Sequence, residues 1–196
     1  MLRAMKIVLA GLTLVIGFSV VALPSSDSYA ANPQNVDVNL TISAALGAYT
    51  ICSSAVNSGI AANTVGTVTC TVSASSNSGV AITIRDWGGS LDLESGSNAI
   101  PTIAATANLA SLTAGVPGWG YRFAVTADGA SGSGLAVQGN YGNYNGVTAT
   151  DVTVATSSVP VANAMGTFTF AASTSMATPA GTYTNVVVIG ITATNI

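Results

Sequence analysis

The sequence predicts an all-β domain, a single antiparallel β-sandwich that follows a cleaved signal peptide. Beyond position 30, apolar residues recur at every second place, the period of a half-buried strand. Clusters of Gly, Asn, Ser and Pro punctuate these runs as turns would. Val, Ile and Thr fill the alternating positions, and helical signals are scarce.

The elements follow in order. Residues 1–30 read as the signal peptide: Arg3 and Lys6 form a positive start, residues 7–23 are an apolar run, and small residues Ser28 and Ala30 mark the cleavage site. A retained membrane anchor is the competing reading, but seventeen apolar residues stand at the lower edge of a span and a polar, helix-breaking stretch follows directly. No Cys stands at the cleavage point, as a lipoprotein needs, and the Gly-then-acidic leader of type IV pilins is missing. The chain is read as exported, extracellular and at the cell surface, meeting a membrane only in transit.

Residues 31–43 come next, A-N-P-Q-N-V-D-V-N-L-T-I-S, and Val36, Val38, Leu40 and Ile42 alternate there with polar residues. This segment is a strand with one apolar face behind a short polar leader. Residues 44–196 make the sandwich proper, with strands expected at 48–52, 67–73, 80–85, 121–126, 152–155, 167–171 and 183–193. Residues 99–114 are Ala-rich and suit a short helix or a crossover between sheets. Residues 86–98 and 128–150 read as loops, the second carrying G-N-Y-G-N-Y-N-G. No repeat and no Pro/Ser linker divides the chain, so one domain is expected.

The last strand is the strongest. Pro179 and Gly181 turn into it; Tyr183, Val187, Ile189 and Ile191 share one face, while Val186 and Val188 make the other face apolar too. A strand apolar on both sides needs cover on both. Those six residues are therefore the candidate acceptor groove or interface.

Composition narrows the chemistry. After residue 30 two basic residues, Arg85 and Arg122, stand against six acidic ones, Asp37, Asp86, Asp92, Glu94, Asp128 and Asp151, a net charge of −4. Nucleic acid and anionic lipid both need Lys and Arg clusters and are excluded as partners. Only 6% of the whole chain is charged, against roughly 25% in ordinary soluble domains. Such a surface suits shielding by neighbouring copies. With no His in the chain, Ser-His-Asp and Cys-His hydrolysis lack their base. Two-carboxylate glycosidase chemistry through Asp86, Asp92 or Glu94 would need a shaped cleft and more aromatic platform than Trp87 supplies. A non-enzymatic protein is expected. The same three acids, with nearby Ser and Asn oxygens, are the candidate Ca²⁺ ligands, although the D-x-D-x-D-G loop is absent; otherwise no cofactor is implied.

Cys52 and Cys70 are the only cysteines, and an even pair in an exported chain reads as a disulfide. Closing the 18-residue loop between them (70 − 52) is worth roughly 3 kcal/mol in the chain-entropy model. Trp87, Trp119, Tyr141 and Tyr144 are the candidate stacking platform for carbohydrate or a surface polymer, with Trp119 alternatively sealing the end of the core. Asn39-Leu-Thr41 fits a glycosylation sequon.

G-V-P-G-W-G-Y-R-F at 115–123 and T-P-A-G-T-Y-T-N-V-V-V at 178–188 resemble the exported β-sandwich surface proteins of bacteria and archaea. The strand V-T-C-T-V-S-A at 68–74, after an earlier Cys, is similar to spore-coat-U-like and archaic chaperone–usher pilins. The architecture more loosely resembles TasA/camelysin-type fibre subunits and archaeal bundling pilins. The resemblance covers about half of the exported chain and departs from the pilin pattern through 86–114 and 128–150. It implies a jelly-roll or immunoglobulin-like sandwich whose copies join by donor-strand exchange, in adhesion or a biofilm matrix.

The segment 31–43 then has two readings: first strand of its own sheet, or donor to another copy. Four apolar anchors would bury about 400 Å² in an acceptor, about 10 kcal/mol before ordering costs. Low charge and the two-sided last strand favour the donor reading. The alternatives are a monomeric carbohydrate-binding sandwich and a Ca²⁺-dependent adhesive module.

Overall fold

A computed structural model describes residues 35–45, 56–87, 89–129 and 134–194. The expected signal peptide at 1–30, the leader 31–34, the strand expected at 48–52 and Cys52 lie outside the described residues. No helix occurs among the described residues; 99–100 end a short strand, and 101–114 is an irregular crossover.

Eleven strands are described: β1 (Asn35–Ala45), β2 (Val56–Ala61), β3 (Val65–Ser76), β4 (Val80–Asp86), β5 (Leu93–Ser95), β6 (Asn98–Ile100), β7 (Gly118–Ala127), β8 (Ala136–Val137), β9 (Val152–Ser157), β10 (Val161–Ser173) and β11 (Gly181–Ala193). They form two sheets in a sandwich-like arrangement. One sheet runs β2-β1-β11-β4-β9-β8, with the hairpin β5–β6 attached to β11; the other runs β3-β10-β7. Strands β3, β4, β9, β10 and β11 lie where the alternating pattern put them. β7 starts three residues earlier than expected, because Gly118, Trp119 and Gly120 are buried strand residues rather than a turn. Among the described residues the ladders are antiparallel with one exception, which corrects the wholly antiparallel expectation: β1 runs parallel to β11.

The core lies between the sheets because alternate residues of each strand point inward. Cys70, Val72 and Ala74 of β3 and Phe168 and Phe170 of β10 share one cluster with Ile82 and Ile84 of β4 and Val187, Ile189 and Ile191 of β11. Aromatic rings concentrate on the three-stranded sheet. Phe168 stands 4.6 Å from Phe123, 6.2 Å from Tyr121 and 6.0 Å from Phe170, ring centre to ring centre.

Loops close what the strands leave open. The outer edge of β7 is capped by Asn145, whose backbone exchanges hydrogen bonds with Tyr121 at 2.8 and 2.9 Å. Asn145 is itself buried. Its Oδ1 accepts from the Asn108 N–H at 3.0 Å, and its Nδ2 donates to the carbonyls of Asn140 and Asn143 at 3.1 and 2.9 Å. One amide therefore ties the loop 128–150 to the crossover 101–114 and protects a strand edge from stray pairing.

Candidate functional site

The candidate site is the position of β1 between β2 and β11. Its register with β11 runs from Val36↔Gly181 to Ala45↔Gly190 without a break. The four expected anchors, Val36, Val38, Leu40 and Ile42, stand opposite Gly181, Tyr183, Asn185 and Val187. Of these, Tyr183 and Val187 are fully buried and Asn185 nearly so, all on the core face of β11.

β11 is thus a central strand flanked by β1 and β4. Tyr183, Val187, Ile189 and Ile191 are core residues rather than an exposed groove. The Tyr183 hydroxyl donates to the Pro179 carbonyl at 3.0 Å, pinning the turn into the strand. On the opposite face Val188 is 8% exposed and Val186 is half-buried. Arg85 stands directly opposite Val188, its guanidinium 4.9 Å over the Trp87 ring and its Nε 3.3 Å from Asp151 Oδ1. The Trp87 N–H donates to the Val186 carbonyl at 2.9 Å, continuing the ladder past β4. Part of the cover expected from a neighbouring molecule is therefore supplied by this chain's own Arg85.

The other wall is β2, V-N-S-G-I-A, which sequence reasoning passed over because Asn, Ser and Gly read as loop. The alternation Val56, Ser58, Ile60 was the available signal. Ile60 is buried in the main core, and the Ala61 carbonyl accepts from Thr64 Oγ1 at 2.6 Å and from Thr174 Oγ1 at 3.0 Å. These bonds fasten β2 to the sandwich independently of β1.

The remaining candidates are not brought together. Asp86 is buried at the end of β4. Asp92 Oδ1 accepts from the Thr102 N–H at 2.9 Å, and Glu94 projects from β5 into solvent. Among the described residues no group of three His, Cys, Asp or Glu is placed to hold a metal ion. Neighbourhood in sequence failed here because the chain between Asp86 and Glu94 turns onto β11, where Asn185 Nδ2 donates to the carbonyls of Ser90 and Asp92 at 3.2 and 3.0 Å.

The four aromatics form no common platform. Trp119 is 1% exposed, its Nε1 donating to the Leu91 carbonyl at 3.0 Å, so it seals the core. Tyr141 stacks on Tyr121 at 6.3 Å, and Tyr144 is buried beneath the Arg122 guanidinium at 5.1 Å. Trp87 alone is well exposed, at 63%. Cys70 is fully buried, and no described cysteine is a free thiol.

Burial pushes the hydroxyls of Tyr121 and Tyr183 above their ordinary value of 10.0, with Tyr141 adding to the effect at Tyr121. The sign follows from proton counting. Above about pH 10 the unfolded chain releases protons that the folded chain holds, so stability is intact below that pH and is lost as pH rises toward the folded values. A denaturation midpoint that is flat through neutral pH and falls steeply above about pH 10 is expected. Tyr121→Phe should make that fall shallower; an unchanged slope would remove Tyr121 as its source.

No protein-family model matches this chain, and no curated protein matches it.

Proposed function

We propose that the chain is a non-enzymatic structural subunit of an extracellular filament or surface layer, joined to other copies by donation of β1. One observation carries the reading. Among the described residues β1 forms the one parallel ladder, wedged between two strands that run opposite to each other. Without it the ladders that remain along β11-β4-β9 are antiparallel, which suits a jelly-roll sandwich. β1 is then an addition, and addition of an extended segment between strands is how sheets recruit peptides: main-chain bonds give affinity and alternate side chains give register. A ten-pair ladder whose sequence alternates apolar and polar residues has both.

The low charge supports the same reading, since packed copies would otherwise repel. Head-to-tail donation does not close on itself, so the product is a filament. A Cys52–Cys70 disulfide belongs to this proposal as the bond that secures the segment following β1 to β3.

The test uses the mature chain with Asn39→Cys and Thr184→Cys, register partners in β1 and β11. A short thiol-to-thiol cross-linker should give a ladder of covalent multimers on a denaturing gel, alongside fibres in negative-stain images. Deletion of residues 31–43 should abolish both. A cross-linked monomer band alone, from a chain that stays solitary at high concentration, would sink the proposal.

A further inference from the structure

We infer a second folded form of this chain, in which β1 has left and β2 closes directly onto β11. β2 is antiparallel to β1 and β1 is parallel to β11, so β2 and β11 already run in opposite directions. Their steps match as well. Val36 stands between Ile60 and Gly181, Asp37 between Gly59 and Thr182, Val38 between Ser58 and Tyr183, Asn39 between Asn57 and Thr184, and Leu40 between Val56 and Asn185.

A sideways move of β2 by about one strand spacing, roughly 4.8 Å, therefore brings five residue pairs into antiparallel register with no sliding along either strand. Parity is kept. Ile60 and Tyr183, both buried now, remain on the inner face, so no side chain turns outward. The backbone groups that a departing β1 strands on both walls find each other, and antiparallel pairing is slightly the stronger per residue. The bonds from Thr64 and Thr174 to Ala61 keep β2 on the body while this happens.

Closure gives the subunit a folded state with its strand edges paired while β1 is elsewhere, so assembly competes with closure rather than starting from an open sheet. The inference holds whether the departed β1 enters another copy or solvent, and it stands or falls separately from strand donation.

Gly59→Cys and Thr182→Cys report the closed form, since both positions are exposed. With β1 in place they are two strand spacings apart, roughly 9.5 Å, beyond disulfide reach; after closure they are within it. In the full mature chain, Val38→Asp with Leu40→Asp removes the apolar pattern of β1 and is expected to release it from between β2 and β11. That chain, dilute and mildly oxidised, should keep its far-ultraviolet circular dichroism and form the 59–182 bridge at least about tenfold faster than the chain with native β1. In the native-β1 chain the bridge should still accumulate slowly under prolonged oxidation, with the dichroism unchanged. Peptide mapping separates it from bonds to Cys52 or Cys70. Loss of fold on expelling β1, a folded chain without the bridge, equal rates in both backgrounds, or no bridge at all in the native-β1 chain would each overturn the inference.

Discussion

Phe168→Ala is expected to cost about 3–5 kcal/mol, a large part of the stability of a domain this size. Phe168 has no solvent exposure and contacts three other rings, the nearest with its centre 4.6 Å away. It is also paired with Cys70 on one side and Phe123 on the other, at the middle of the three-stranded sheet. Truncation removes the ring's own burial and strips its neighbours of edge and face contacts that a rigid sheet cannot rebuild. Chemical denaturation of the mature chain should show the midpoint falling with little change in slope. Met176→Ala, at a position 64% exposed, should stay within about 0.5 kcal/mol of the parent. Similar losses from both would mean that the core is not centred on this sheet.

Gly166→Ala makes the opposite error. Gly166 is an inward-facing residue of β10, and a Cβ built there falls on the Phe123 ring. That ring is held against Phe168 and cannot swing clear. One added methyl should therefore cost about 2–3 kcal/mol through overpacking. The remedy identifies the cause: Phe123→Leu in the Gly166→Ala background should recover about 1 kcal/mol or more relative to the sum of the single changes. Strict additivity would place the strain elsewhere.

How much of this was readable in advance depends on which residues carried the pattern. β3, β4 and β11 were legible because Val, Ile and Thr alternate cleanly there. β2 and the start of β7 were not, because their Gly, Ser and Asn residues read as turns. Gly118 and Gly120 sit in a strand because Ile103 and the Asn145 carbonyl press against the places their side chains would occupy. Of the candidate site, the β11 wall was visible as a strand apolar on both faces. The parallel direction of β1 was not, since neighbours remote in sequence set register and direction. The acids failed as a group for the same reason: hydrogen bonds to Thr102 and Asn185 draw their loop down, and spacing along the chain does not record that.

The pairing of Val36 with Gly181 joins residues 145 positions apart (181 − 36). β1 is synthesised before β11, so at translation speeds of 5–20 residues per second the first of these strands waits roughly 7–30 s for the second to exist. Every newly emerging chain thus passes through an interval in which its amino-terminal ribbon is complete and the strand it pairs with in this fold is not.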